Sequence, residues 1–174
     1  ISHGEDNIIF KSIAEKNKIE YIFGSAEDVL KRLIISCEKV EGTDIFRMTT
    51  ESPFVMFEYI EDAWAEHSQK NSDITVIDNV PDGSGFEIIN LNAYKKSWKR
   101  GNKTHRSEFC SLYIRENKDD FEINYYPVAK EYLRKDIRLT VDNPEDLILA
   151  RDIYKKFKND APLIPVLKII KYLD

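Results

Sequence analysis

The sequence has too few glycines, in the wrong places, to build a glycine-rich phosphate loop. Six of its 174 residues are glycine: Gly4, Gly24, Gly42, Gly83, Gly85 and Gly101. They complete neither GxGxxG nor GxxxxGK[ST], the patterns in which glycine lets the backbone approach phosphate groups: Gly83 and Gly85 are two positions apart, but position 88 is an isoleucine. These residues therefore exclude both a P-loop and a dinucleotide fingerprint.

Cysteine and long apolar runs are equally scarce. The two cysteines, Cys37 and Cys110, form no CxxC or Cys/His pattern, which argues against a zinc site and fits reduced thiols in a cytoplasmic protein. No run of 18 apolar residues occurs, and the first residues, Ile1–Asp6, have neither the basic nor the apolar region of a signal peptide. The sequence predicts neither export nor a membrane span.

Positive charge of the kind that attracts polyanions is also missing. The formal net charge is -5, and acidic and basic residues are interleaved, so we expect no binding of nucleic acid or of an anionic membrane. What the chain does have is 42% hydrophobic and 33% charged residues, the composition of an ordinary globular domain. We expect residues 1–174 to form a single domain.

Helical and strand patterns alternate along the chain. Predicted helices cover residues 6–17, start at Ser25, include Phe57 to Trp64, and cover 91–98, 107–116, 143–157 and the segment after Pro165. Predicted strands cover 21–23, 44–48, 74–77, 86–89, 121–126 and 138–141. This order predicts an α/β fold in which helices flank a mainly parallel sheet. The clearest helix start is at Asn143, which precedes Pro144 and two acidic residues.

Two acidic residues follow predicted strands. Glu51 comes five residues after Phe46, and Asp142 comes directly after the strand 138–141. Ligands of open α/β sheets bind beside the carboxyl ends of the strands, and two carboxylates there would suit one magnesium ion that bridges phosphates. The alternative is that Glu51 is a solvated loop acid and Asp142 an acid that leads a helix.

Five segments come in the order seen in one enzyme family. They are GSAEDVLKR (24–32), FRMTTESP (46–53), PDGSGFE (81–87), SEFCSLYI (107–114) and RLTVDNPEDL (138–147). Over roughly residues 24 to 158 the chain resembles the cytidylyltransferases that activate acidic sugars, most closely their spore-coat polysaccharide branch. The corresponding patterns in that branch are GSxxDVLxR, RxTxDxP, PDGxxxE, REHVTxYI and RLTVDxPEDL.

The resemblance implies a Rossmann-like nucleotidyltransferase fold and magnesium-dependent transfer of CMP from CTP to an acceptor oxygen, with release of pyrophosphate. The two metal-binding acids of the family correspond to Glu51 and Asp142. Glu51 replaces the usual aspartate, and Phe109 replaces the family histidine. The basic, glycine-containing loop of the family that binds the CTP phosphates has no counterpart in the chain. We therefore expect that loop to belong to a segment ahead of Ile1.

The resemblance, the basic stretch 95–106 and the position of Arg47 nominate further site residues. Those on the acceptor side are Asp82, Gly83, Glu87, His105, Arg106 and Glu108. Those on the nucleotide side are Ser25, Asp28 and Arg32, and Arg47 beside Glu51 is a candidate phosphate contact. Each has a structural alternative: a turn before a strand for 81–87, a solvated helix face for the basic stretch 95–106, an ion pair for Arg47, and helix capping for 25–32.

Two classes of function remain open. The first is a CTP-dependent enzyme, with magnesium as cofactor and CTP and an anionic small molecule as partners. Its acceptor would be an acidic sugar or a small phosphate or phosphonate, and family members commonly form homodimers. The second is a non-catalytic homologue that binds nucleotide or sugar, or mediates oligomerisation, without turnover.

Overall fold

The structure is a computed structural model that describes all residues from Ile1 to Asp174. Its eight α-helices are α1 (Ile8–Lys16), α2 (Val29–Lys39), α3 (Ile60–Lys70), α4 (Leu91–Arg100), α5 (Lys103–Arg106), α6 (Leu112–Glu116), α7 (Pro144–Lys156) and α8 (Val166–Leu173). The four strands are β1 (Asp44–Arg47), β2 (Ile74–Val76), β3 (Glu87–Asn90) and β4 (Ile123–Tyr125). They form one sheet in the order β1-β3-β2-β4, in which β2 and β4 are parallel. The predicted α/β class, with helices flanking an open sheet, is confirmed.

The chain divides into two compact units. The first unit contains Ile1–Ile45 and Ile89–Glu122, and the second contains Phe46–Ile88 and Ile123–Asp174. Each has its own buried apolar residues. In the first unit these include Leu30 and Ile34 of α2 and Tyr94 of α4.

The start of α2 is set by an aspartate. Asp28 is the N-cap, and its Oδ1 accepts a hydrogen bond of 2.8 Å from the backbone N–H of Lys31. Asp28 Oδ2 accepts from the indole N–H of Trp98 on α4, also at 2.8 Å. The predicted cap, Ser25, instead accepts from the N–H groups of Glu27 and Asp28 in the turn before the helix. Both residues satisfy free backbone donors, but the helix begins later than predicted.

Three sequence predictions of secondary structure are wrong in detail. Residues 21–23 form no strand, and the nearest pairing is a single bridge between Ser2 and Gly24. The helix predicted over 107–116 begins only at Leu112, after the separate short α5. Residues 138–141 contribute one bridge, between Asp82 and Arg138, rather than a strand. Short segments of this kind are where sequence pattern is weakest, because a few backbone contacts decide the outcome.

The core of the second unit lies between its helices and strands. All three residues of β2 are buried, and α8 contributes Val166, Ile169 and Ile170 to the cluster. The side chain of Glu58 fixes the start of α8, because its Oε1 accepts from the backbone N–H of Val166 at 3.1 Å. The predicted start of α7 is confirmed: it begins at Pro144, with Asn143 as its N-cap.

Tyr132 provides a test of this core by pH. Burial of the hydroxyl, with a smaller effect of the charge on Glu58, raises the pKa of Tyr132 to about 12. Tyrosine in an unfolded chain has a pKa of about 10. Its contribution to stability is therefore complete below about pH 10 and is lost as the pH rises through about 12. We expect the difference in unfolding free energy between the wild type and Tyr132→Phe to fall by about 2 kcal/mol over that range.

The measurement is urea unfolding of both proteins at about pH 9 and about pH 11.5. The remaining tyrosines and lysines titrate in both proteins, so their effects cancel in the difference. A difference that stays constant between the two pH values would contradict the burial of the Tyr132 hydroxyl.

Candidate functional site

Two loops of the second unit are joined by a backbone hydrogen bond. The N–H of Val141 donates to the carbonyl oxygen of Glu51 at 2.8 Å. This bond brings the loop after β1 beside the segment that leads into α7. Glu51 and Asp142, predicted from separate strand ends, therefore lie on neighbouring segments.

A third segment joins them through Asp82 and Gly83. The N–H of Asp82 donates to Ile137 O at 2.9 Å, and the N–H of Leu139 donates to Asp82 O at 2.7 Å. Gly83 has a φ of +81°, and a Cβ placed on it would lie 2.6 Å from the backbone nitrogen of Thr140. Only glycine allows both this left-handed conformation and so close an approach. The turn 81–84 is thereby held against residues 138–142.

Arg138 lies where these segments meet. Its Nη1 donates to Asp82 Oδ2 at 2.8 Å, its Nη2 donates to Asp142 Oδ2, and its Nε donates to Asp146 Oδ1 at 3.1 Å. Arg138 is the first residue of the RLTVD segment, but its sequence pattern does not mark it as a site residue. One guanidinium thus contacts three carboxylates, one of which is the candidate metal acid Asp142.

Asp146, on the first turn of α7, was also missed. Its Oδ2 accepts from the backbone N–H groups of Asp142 at 3.0 Å and Asn143 at 2.9 Å. Its hydrogen bonds with Arg138, and then with the N–H of Asp142, hold the pKa of Asp146 well below its usual range. The same hydrogen bond with Asp146 raises the pKa of Arg138. The acidic residue three positions after the N-cap was the signal that could have identified it.

The two predicted metal acids differ in their surroundings. The contacts of the Asp142 carboxylate both fall on Oδ2, from Arg138 and from the hydroxyl of Thr140 at 3.3 Å. The Glu51 side chain is exposed, and the hydroxyl of Thr50 contacts its Oε2 at 3.4 Å. Asp142 is therefore held through one oxygen, whereas Glu51 is held chiefly by its main chain.

Arg47 and Glu87 form a partly buried ion pair. Arg47 Nη1 lies 3.0 Å from Glu87 Oε2, with side-chain exposures of 20% and 12%. Of the two alternatives for Arg47, the ion-pair partner is the one that the structure displays. Contacts of Arg47 or Glu87 with a substrate remain predictions.

In the first unit, the candidates on the nucleotide side have structural partners. Arg32 Nη1 donates to the backbone carbonyl of Ser25, and both carboxylate oxygens of Asp28 accept hydrogen bonds, from Lys31 and Trp98. These contacts match the helix-capping alternative. The proposed contact of Ser25, Asp28 and Arg32 with nucleotide stays a prediction.

His105 caps the start of α5, and Arg106 caps the end of α4. His105 Nδ1 accepts from the N–H of Asn102 at 2.9 Å, so its Nε2 carries the proton that faces Glu116 Oε2 at 2.8 Å. Arg106 donates through Nε and Nη2 to the carbonyl of Trp98 at 3.1 and 2.9 Å. Its guanidinium also lies 4.8 Å from the centre of the Trp98 ring. Both side chains are engaged in helix capping.

The rest of the basic stretch is also largely paired. Lys95 contacts Glu38 at 2.7 Å, and Arg100 contacts Asp120 at 3.0 Å. Lys96 Nζ lies 4.1 Å from the centre of the Phe121 ring. The last acceptor-side candidate, Glu108, is exposed in the turn between α5 and α6. The stretch does not form one free basic surface.

No group of three or more His, Cys, Asp or Glu side chains is arranged to hold a metal ion. The magnesium prediction thus rests on the pair Glu51 and Asp142 together with substrate oxygens. An open groove of about 520 Å³ lies in the first unit, lined by residues 18–21 and Lys39. None of the candidate site residues lines it. None of the helices has both the length and the apolar character needed to cross a bilayer.

Comparison with known proteins agrees with the ordered segments and with the fold. The chain is 27% identical over 174 residues to the spore coat polysaccharide biosynthesis protein SpsF of Bacillus subtilis (strain 168), covering 99% of the chain and 72% of that protein. A cytidylyltransferase structure from Leptospira borgpetersenii serovar Hardjo-bovis (strain JB197) matches with a TM-score of 0.89 and 20% identity, over 99% of this chain and 73% of that one.

A more distant structural match is molybdopterin-guanine dinucleotide biosynthesis protein A from Archaeoglobus fulgidus. Its TM-score is 0.58 at 18% identity, over 87% of this chain and 76% of that one. The two structural matches concern the fold alone. The profile of the Cytidylyltransferase family matches residues 9–164, which is most of the chain. The chain therefore belongs to the cytidylyltransferase family, and it has a nucleotidyltransferase fold.

Proposed function

We propose that the protein transfers CMP from CTP to an acidic sugar or a small phosphate or phosphonate acceptor, with release of pyrophosphate, in the synthesis of a bacterial surface polysaccharide. Membership of the cytidylyltransferase family supports the use of CTP. The similarity to SpsF, a protein named for spore coat polysaccharide biosynthesis, supports the biological role. The observation that carries the proposal is the backbone pairing that sets Glu51 beside Val141 and Asp142.

The two carboxylates suit a magnesium ion. Mg²⁺ in nucleotide enzymes is held by one or two carboxylates together with substrate phosphates and water. Glu51 is exposed, and Asp142 is held through Oδ2, which leaves its Oδ1 for an outside ligand. When bound, the ion would offset negative charge on the α-phosphate and on the leaving pyrophosphate.

The residues of the chain would act mainly by positioning. Transfer of CMP requires the acceptor oxygen and the α-phosphate to be held in line, and fixed charges to stabilise the transition state. The turn 81–84 and the segment 138–142 are held together by contacts of Asp82, Gly83 and Arg138. We propose that these two segments position the two acids, with Asp82 and Gly83 on the acceptor side of the site.

A second function, binding of CTP or a sugar without turnover, is compatible with one observation. Asp28, Arg32 and Arg106, which were predicted to contact substrates, all make structural contacts within the first unit. A homologue that binds CTP or a sugar without turnover would also show this arrangement.

The two functions are separated by an assay of the full-length protein. It is incubated with CTP, Mg²⁺ and a panel of sugar acids, phosphate monoesters and phosphonates, and pyrophosphate release is measured for each acceptor. The enzyme is expected to release pyrophosphate with at least one acceptor class. Binding of CTP by calorimetry without release for any acceptor would overturn the proposal and favour the binding function.

A further inference from the structure

The contacts of Arg138 go beyond those of an ordinary surface ion pair. A single exposed pair at positions i and i+4, such as Arg138 and Asp142, contributes little by itself. Arg138 also contacts Asp82 at 2.8 Å and Asp146 at 3.1 Å, so all three of its guanidinium nitrogens donate to carboxylates. A rigid guanidinium that is bound through all three nitrogens has one orientation. It can therefore fix the direction of each carboxylate that it contacts.

Asp142 is held at its main chain by one residue and at its side chain by two others. Its backbone N–H donates to Asp146 Oδ2 at 3.0 Å, and its Oδ2 accepts from Arg138 and Thr140. One carboxylate oxygen is thus fixed by the protein, while the other is left to an outside ligand. This is how supporting residues orient ligands in metal sites.

We propose that Arg138 is a positioning residue that orients the Asp142 carboxylate toward the divalent cation that accompanies the CTP phosphates. The inference rests on the proposed function for the identity of that cation. It gives Arg138 a role through Asp142 rather than through contact with substrate.

Arg138 could instead serve only to neutralise the nearby carboxylates. Its removal would then change cation binding in the opposite direction. If Arg138 only balanced nearby carboxylates, its removal would leave the region more negative and would strengthen cation binding. Loss of a residue that orients a ligand instead weakens metal affinity by about 10- to 100-fold. The direction of the change therefore decides between the two roles.

The test compares Arg138→Gln with Arg134→Gln. Arg134 is a matched control in the same unit, because it also bridges carboxylates, those of Asp136 and Asp174, and it touches no candidate site residue. Binding of Mn²⁺ to the full-length protein in the presence of CTP is measured by electron paramagnetic resonance, and urea unfolding monitors the fold of each variant. We expect Arg138→Gln to weaken Mn²⁺ binding at least about tenfold and Arg134→Gln to leave it unchanged.

A third variant keeps the test decisive if Arg138→Gln is unstable. Arg138→Lys retains the charge but loses the planar fork, so we expect it to weaken Mn²⁺ binding as well. Unchanged or tighter Mn²⁺ binding in a folded Arg138→Gln or Arg138→Lys variant would overturn the proposal.

Failure of the proposed function would look different. In that case the wild type would bind Mn²⁺ and lose this binding with Arg138→Gln, yet would release no pyrophosphate with any acceptor. A wild type that binds no Mn²⁺ beside CTP would overturn the positioning role itself.

Discussion

Replacement of Asp142 by asparagine is expected to reduce pyrophosphate release from CTP by at least about a hundredfold. Asparagine keeps the shape of the side chain but removes the charge that would hold the cation, and it weakens the contact with Arg138. Stabilisation of transition-state charge by a metal ion supplies several kcal/mol, and each 1.4 kcal/mol or so corresponds to a factor of ten in rate. Initial rates at saturating CTP and Mg²⁺ measure the loss.

A matched control separates this effect from loss of a surface ion pair. Asp136 pairs with Arg134 much as Asp142 pairs with Arg138, so Asp136→Asn should leave the rate within about twofold. Glu51→Gln tests the second acid independently and should also cause a large loss. Full activity of a folded Asp142→Asn variant would contradict the assignment of this residue to the metal.

Replacement of Gly83 by alanine is expected to lower the free energy of unfolding by about 3 kcal/mol. A left-handed conformation costs a residue with a Cβ about 1–2 kcal/mol. In addition, that Cβ would lie 2.6 Å from Thr140 N and 2.8 Å from Thr140 Cα, which forces the two segments apart at a further cost of about 1–3 kcal/mol. Urea unfolding at neutral pH measures the change, and pyrophosphate release should fall with it.

Asn79 provides the control for conformational strain. It lies on the same stretch of the chain with a φ of +67° and is exposed. Asn79→Ala therefore imposes the strain without the close contact, at a cost of about 1 kcal/mol. If Gly83→Ala destabilises the protein no more than Asn79→Ala does, the close approach of the turn 81–84 to Thr140 is incorrect.

The elements predicted best are those in which several local signals agree. The start of α7 combines an N-cap residue, a proline at the first helical position and acidic residues in the first turn, and the structure begins that helix at Pro144. The buried strand β2 is predicted by a run of apolar and β-branched residues, which are enriched in strands. The α/β class followed from the alternation of such segments. These predictions need no knowledge of distant contacts.

The elements predicted poorly depend on contacts that the sequence does not display. The helix expected over 107–116 begins only at Leu112, because Arg106 turns back to the carbonyl of Trp98 and Ser107 donates its N–H to Thr104 at the end of α5. The basic stretch was a candidate anion-binding surface, but its partners Glu38, Glu116 and Asp120 lie elsewhere in the first unit. Periodicity and composition cannot show which charges meet.

The candidate site was likewise predicted only in part from the sequence. The sequence placed Glu51 and Asp142 at strand ends, and the structure joins their segments through one backbone hydrogen bond. It did not identify Arg138, because the partner Asp82 is 56 positions away in the chain. An arginine at the start of a strand-like segment has no local feature that distinguishes it from a surface residue.

The anchoring of Glu51 by its main chain also bears on how this site can change in evolution. The carbonyl of Glu51 makes the contact with Val141, and every amino acid has that carbonyl. The loop can therefore exchange an aspartate for a glutamate without losing its attachment, while the carboxylate moves by about the length of one carbon-carbon bond. At such a position a single substitution can change how far the carboxylate extends from the main chain, with little effect on the stability of the fold.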